Sequence, residues 1–364
     1  MNALKRKIID DIRAFGPITV AQYMDIALSF PEHGYYMTRD PLGRDFTTAP
    51  EVSQIFGELI GLFFVQAWED RGQPKHFHFV ELGPGRGTLM ADMLRAAGKV
   101  RPEFVTAARV TLVEISPVLR GIQAQTLSSV PVKWVSQFHD VPADAPLFVI
   151  ANEFFDALPI RQFAKSERGW HERIVTIDGD DLRFTSSPDT VQPPSAIATA
   201  EAPVGSVIEI NTSAADIVRN IGPRFQEFDG TALIIDYGYA KAAFGDTFQA
   251  VKTNAHVHPL AEPGEADLTA HVDFAALTHA AGEGGGYVLG PIPQAALLEG
   301  LGINVRAGLL KRRHPEKAAE IDAAVERLTH PDQMGTLFKA MTIFEGLDHE
   351  EPPGFEAACG SAHN

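Results

Sequence analysis

From residue 77 to residue 236 the apolar positions fall in short, nearly continuous runs, each bounded by turn residues and separated by stretches with helical spacing. Runs of four to six such residues are the pattern of strands covered on both faces, and their alternation with helices predicts a parallel sheet joined by right-handed crossovers. The spacing places strands at 77–82, 110–114, 132–135, 147–151 and 232–236, with a helix over 89–97 after the first. Upstream the period is helical: 4–15, a Gly16-Pro17 break, then 20–28 behind Thr19 as N-cap. A loop from Pro31 to Pro50 opens into a long helix over 51–70.

Between the fourth and fifth strands lies an excursion with strand-like segments at 161–163, 170–177 and 207–210, a Pro-rich mobile loop over 186–203 and a helix over 214–228. After Asp236 the chain reads as irregular through Gly264 and then helical at 272–281, 294–299, 307–312, 316–328 and 332–338. Residues 282–286 form a flexible turn, and a final strand lies near 340–344. The expected organisation is a helical region over 1–75, an α/β core over 76–345 with insertions at 160–210 and 239–335, and a loose tail over 346–364.

A chain of 364 residues with 45% hydrophobic content has enough apolar surface for one large α/β core and an appended region. A formal charge of −16 and an isoelectric point near 5.2 argue against nucleic acid as a partner, because phosphate backbones are bound through clustered Lys and Arg. The one cysteine, Cys359, excludes an intramolecular disulfide and a cysteine-cluster metal site. Acids at Asp10 and Asp11 soon after the basic Lys5-Arg6-Lys7 fit neither a signal nor a transit peptide, and no apolar run reaches the roughly 20 residues of a membrane span. The expected location is the cytoplasm.

The first strand ends on Glu81 and turns through Gly83, Gly85 and Gly87 into a helix. Glycines let a ligand lie against the main chain where a helix presents free N–H groups. A tight turn without ligand would use the same residues, yet three features sharpen the reading. Thr88 stands where a dinucleotide fingerprint needs its third glycine, no Lys follows as in a P-loop, and Glu81 would repel a pyrophosphate. A carboxylate there attracts the ammonium and sulfonium of S-adenosylmethionine. Glu114, at the end of the second strand, is placed to accept from both hydroxyls of a ribose. Just after the third strand, Gln137, Phe138 and His139 offer an aromatic face and a hydrogen-bond partner for adenine.

The fourth strand ends at Asn152-Glu153-Phe154-Phe155-Asp156, on the edge where open α/β sheets hold ligands. Asn152 and Glu153 could orient a nucleophile for in-line methyl transfer, with Asp156 beside them; a guanidinium would need carboxylates to align its forked donors. Capping of a following helix would use the same residues. In the loop over 43–54, Arg44, Asp45, Thr47, Thr48, Glu51, Ser53 and Gln54 read either as an active-site lid or as the lead-in to a helix. Asp236-Tyr237 ends the fifth strand on the same edge. His256, His258 and His271, with Asp267 and Asp273, have no metal-ligand spacing, and no nucleophile elbow is present.

Together, Gly34-Tyr35-Tyr36, the segment 43–58, Glu81 to Gly87, Asn152 to Pro159, Asp236-Tyr237-Gly238 and the segment 267–274 resemble the MidA family, relatives of a complex I assembly factor that is a protein arginine methyltransferase. The resemblance covers nearly the full length. It implies a seven-strand, mixed-sheet class I methyltransferase fold, S-adenosylmethionine as donor, and symmetric dimethylation of an arginine in the 49-kDa subunit of NADH:ubiquinone oxidoreductase. Carried over by position, Glu81, Gly83, Gly85 and Gly87 bind cofactor with Glu114 on ribose, and the Asp45–Gln54 motif joins the active site. With the residue reading added, Phe138 and Asn152 also meet the cofactor, and Asp45, Glu51, Asn152, Glu153 and Asp156 are the expected catalytic set. The paired-glutamate loop of better-known arginine methyltransferases has no counterpart here, so Glu153 as guanidine ligand rests on position. An assembly scaffold without turnover, or a methyltransferase of small molecules, is the competing expectation.

Overall fold

The computed structural model describes residues 1–40, 42, 47–346 and 351–356. Its central sheet contains β1 (Phe77–Leu82), β2 (Ala108–Val113), β3 (Val132–Val135), β4 (Leu147–Asn152), β5 (Gly230–Tyr239), β6 (Tyr287–Pro293) and β7 (Phe338–Phe344). The order across the sheet is β6-β7-β5-β4-β1-β2-β3. The strands β1 to β5 pair in parallel, while β7 runs antiparallel to β5 and β6, so the sheet is mixed with one reversed strand. A two-residue piece, Val272–Asp273, extends it beside the end of β5.

The principal helices are α1 (Ala3–Phe15), α2 (Val20–Ser29), α3 (Gln54–Asp70), α4 (Thr88–Val100), α5 (Pro117–Thr126), α6 (Thr212–Arg219), α7 (Ile221–Phe228) and α8 (Phe274–Glu283). Every residue of β1 and β4 is buried, as strands covered on both faces require. Alternate side chains divide between two cores. Phe79, Phe148 and Leu233 join α3 and α4 on one face, where Phe64 and Phe104 pack edge to face on Phe79 and Phe77 does so on Phe148. Val80, Val149 and Ile234 join α6, α7 and α8 on the other. With both faces closed, only the carboxyl edge of β1, β2 and β4 is left for chemistry.

The insertion after β4 makes a second, antiparallel sheet from Arg161–Ser166, Gly169–Asp178, Asp181–Ser186 and Val207–Ile210, to which the N-terminal Ile18–Thr19 adds an edge. α1 and α2 bury Ile8, Tyr23 and Met24 in one cluster with Val175 and Leu182 of that sheet and Leu268 of a small sheet formed by Gln249–Lys252, Ala255–Val257 and Asp267–Thr269. The N-terminal helices and both insertions thus share one apolar core.

Several expectations are corrected. The helix over 51–70 is broken at Ser53, whose extended backbone (φ −160°, ψ 136°) lets its hydroxyl cap Ile55 N–H, leaving a short helix Ala49–Val52 and then α3. The helix over 214–228 divides into α6 and α7 at Asn220, since Pro223 has no N–H to continue the ladder. No α-helix covers 332–338: Gln333 is non-helical and β7 begins at Phe338. The expected irregular stretch after Asp236 holds the small three-stranded sheet. The loop over 186–203 is docked, with Ala198 and Ala202 buried against Phe163 and Trp170. Within the expected loose tail, Phe355 is fully buried against Phe63. Among the described residues no helix is long and apolar enough to cross a membrane.

Candidate active site

The turn after β1 holds Gly83, Gly85 and Gly87 at φ +61°, +52° and +80°, a region that other residues enter at a cost. A Cβ on Gly83 would lie 2.7 Å from Phe154 Cδ2, and one on Gly85 2.9 Å from Leu42 Cδ1. The bare backbone is therefore what lets neighbours close over the turn. Beneath it, Glu81 is 3% exposed and its Oε2 has no hydrogen-bond partner among the described residues. Burial pushes its carboxyl up to about 8; the Met90 N–H opposes this and Glu114 adds to it. A buried carboxyl with an open oxygen on a cavity wall is a site built for a donor that no described residue supplies. The ammonium of S-adenosylmethionine fits it.

Glu114 accepts from Ser116 N–H at 2.7 Å and from Gln123 Nε2 at 3.2 Å, and burial raises its carboxyl. Gln123 joins this site without a motif to announce it. Fully buried, it also donates to Gly85 O at 2.7 Å and accepts from Trp134 Nε1 at 2.9 Å, tying the glycine turn, Glu114 and β3 together. The helix that carries it begins where Ser116 caps Leu119 N–H, with Pro117 in the first turn. Phe138, Gln137 and His139 line the same cavity, and the Arg224 guanidinium lies 5.2 Å from the Phe138 ring centroid. Arg224, from α7, had no sequence signal.

At the end of β4, Asn152 is 8% exposed, its Oδ1 has no partner among the described residues, and its Nδ2 donates to Glu153 Oε1 at 3.2 Å. Five described non-glycine residues have left-handed backbone, and of these only Glu153 (φ 51°) lines the cavity. The turn is fixed by Glu153 N–H on Ile235 O and by Asp236, whose Oδ2 accepts from the N–H groups of Phe154, Phe155 and Asp156 at 3.1, 2.9 and 3.3 Å. Asp236, read at first as part of the functional edge, is thus a buried backbone latch. Burial drives the Glu153 carboxyl up to about 7; the Ala49 N–H it accepts at 2.9 Å opposes this and Asp156 adds to it. Asp156 is itself pushed up to about 6 by burial, against a bond from Tyr237. It lies behind the cavity wall and not among the residues that line it.

The N-terminal segment reaches this centre. Glu51 Oε1 accepts from Thr88 Oγ1 at 2.7 Å, Arg86 donates through Nε to Asp40 at 2.7 Å and through Nη2 to Leu42 O, and Ser116 Oγ donates to Tyr36 O at 2.5 Å. Of the lid candidates, Thr48 and Glu51 line the cavity; Ser53 caps α3 and Gln54 is exposed. Arg44 and Asp45 lie outside the described residues. The cavity encloses about 870 Å³, within the range of small-ligand sites. No group of His, Cys, Asp and Glu that could hold a metal occurs among the described residues, and His271 packs edge-on to Tyr237.

Residues 59–292, which include the glycine turn and both acidic strand ends, match the family model of S-adenosyl-L-methionine-dependent methyltransferases. The protein arginine methyltransferase NDUFAF7 of Xenopus tropicalis is 37% identical over 372 residues, covering 94% of this chain and 86% of the relative. The human protein is 37% identical over 379 residues (96% and 84%), and the Drosophila melanogaster homologue 36% over 380 (95% and 85%). A Burkholderia thailandensis protein solved with S-adenosyl-homocysteine bound superposes with a TM-score of 0.85 at 28% identity, covering 98% of this chain and 95% of that one. From the glycine turn to the reversed last strand, this chain belongs to the S-adenosyl-L-methionine-dependent methyltransferase family.

Proposed function

We propose that the protein methylates an arginine side chain of a polypeptide, by symmetric dimethylation of the 49-kDa subunit of NADH:ubiquinone oxidoreductase during assembly of that complex, in the cytoplasm. The observation that carries the reading is the pair at the end of β4. There the open Asn152 Oδ1 and the Glu153 carboxyl, both on the cavity wall, offer acceptors to a forked donor such as a guanidinium. The relatives named as protein arginine methyltransferases support it.

When bound, S-adenosylmethionine supplies an electrophilic methyl group on a sulfonium. Glu81 and the glycine turn would hold the amino-acid end and Glu114 the ribose. A guanidinium nitrogen that forms the new N–C bond, as the sulfonium's S–C bond breaks and the neutral thioether S-adenosylhomocysteine leaves, gives up a proton, and Glu153 would receive it. A carboxyl raised to about 7 holds a proton better than an ordinary one and still ionises at neutral pH. Asn152 fixes the Glu153 carboxylate by its hydrogen bond, and Asp236 fixes the turn that aims both.

The test follows radiolabelled methyl from S-adenosylmethionine into purified complex I subunits, with Glu153→Gln as comparison. Label on an arginine of the 49-kDa subunit, lost in the variant while calorimetric cofactor affinity is kept, is the expected result. Unchanged turnover in the variant removes Glu153 from this role; label on another subunit or on no arginine overturns the substrate.

A further inference from the structure

The cavity has walls that belong to none of the elements of the glycine turn. α2 contributes Asp25, Leu28 and Ser29, an i, i+3, i+4 set on one helix face, and α6 contributes Ser213, Asp216 and Ile217 with the same spacing. Leu158 and Pro159 also line it, and their loop is held to the start of α6 by Asn211 Nδ2, which donates to Phe155 O at 3.2 Å and Leu158 O at 3.1 Å. The volume of about 870 Å³ lies near the upper end for one small ligand, so these walls have room beside the cofactor. The unpartnered, buried Asn152 Oδ1 on the same cavity points to a donor-bearing occupant.

The charge of these walls has one sign. The lining residues of α2 and α6 include two carboxylates and no Lys, Arg or His. Asp25 is exposed and accepts from Ser29 Oγ at 2.7 Å through Oδ1. Asp216 pairs with Arg219 at 2.6 Å, but Arg219 is also held by Glu283 at 2.8 and 2.9 Å. Giving up an exposed pair whose cation keeps another partner costs little, so Asp216 is available to an incoming cation. The basic side chains that do line the described cavity are engaged elsewhere, Arg86 by Asp40, Arg224 by Phe138 and Pro142 O, and His139 by Asp140.

We infer that α2 and α6 are walls of an acceptor groove, in which Asp25 and Asp216 select a polypeptide bearing a lysine or arginine close to the methylated arginine while Leu28, Leu158 and Ile217 take an apolar neighbour. The inference rests on the arginine reading above and adds which arginines are chosen. The test uses the full chain and two synthetic peptides with one target arginine each, flanked by lysines or by alanines. The wild type should favour the lysine-flanked peptide by roughly fivefold in kcat/KM, carried by KM and reduced in high salt, as exposed charge pairs are. Asp25→Asn with Asp216→Asn should erase the preference with cofactor affinity and turnover on the alanine-flanked peptide unchanged. Equal rates on both peptides in the wild type, or a preference that survives the double variant, overturn the groove alone. A chain that binds S-adenosylmethionine and labels neither peptide overturns the arginine reading, and the groove with it.

Discussion

Replacing Glu81 by Gln keeps the side chain's shape and removes its ability to ionise. In the folded protein burial holds this carboxyl at about 8, against an ordinary value of 4.5. At pH 7 the unfolded chain carries the carboxylate and the folded chain the acid, so folding takes up a proton. Stability therefore falls as pH rises from 4.5 toward 8. The 2.5 units between 4.5 and 7, at about 1.4 kcal/mol each, give a penalty of roughly 3 kcal/mol, growing to about 5 kcal/mol at pH 8. Relaxation around a buried charge makes these upper values. The variant escapes the penalty, and its amide oxygen can still accept from Met90 N–H. Urea unfolding without cofactor should show less than about 1 kcal/mol of difference at pH 5 and a clear advantage for Glu81→Gln at pH 8. Calorimetry should show weaker binding of S-adenosylmethionine by the same variant, because an amide cannot ionise to pair with the ammonium as the carboxyl does when an arriving cation draws its value down. A stability difference that does not change with pH, or a variant less stable at pH 8, would refute the reasoning.

The remaining expectations use the same geometry. Gly87→Ala meets no protein atom closer than 3.5 Å and should cost about 1–2 kcal/mol of stability through its backbone alone, read by thermal melting without cofactor. Gly83→Ala must displace Phe154 from the cavity wall and should weaken cofactor binding by roughly tenfold or more in calorimetry. Asp236→Asn puts an amide donor where main-chain N–H groups need an acceptor, and should lower unfolding free energy by roughly 3 kcal/mol in denaturant titration. For Glu153 the ionised form receives the acceptor's proton, so kcat/KM should climb as pH passes about 7, and that limb should vanish in Glu153→Gln.

What the chain reveals before folding depends on how local each determinant is. Six of the seven central strands are legible, β1 and β4 because burial on both faces leaves apolar runs, and even the edge strand β3 because Val132, Trp134 and Val135 outweigh the exposed Lys133. The seventh, Tyr287–Pro293, contains Gly290, Pro291 and Pro293, which read as a break; it survives as a strand because it lies at the sheet's edge, paired on one side only. Glu81, the glycines and Glu114 are legible because strand, turn and acid follow each other in sequence. Gln123 and Arg224 are not, since each meets its partners only after the sheet and helices have assembled. Asp236 shows the converse. Its position at a strand end invited a functional reading, and only the three N–H groups of Phe154 to Asp156 disclose that it holds other residues in place.

The bond between Gln123 and Trp134 makes the chain its own optical probe. Of its three tryptophans, Trp68 donates to Pro74 O and Trp170 is near Thr199 O, whereas Trp134 touches the amide that also grips the glycine turn and the ribose carboxylate. A ligand that reorders that amide, or the Glu114 carboxylate it bonds, would alter the polarity felt by one indole. With Trp68 and Trp170 changed to Phe, the emission wavelength would become a label-free titration of the cofactor pocket, readable in a mixture where turnover on the acceptor is being followed.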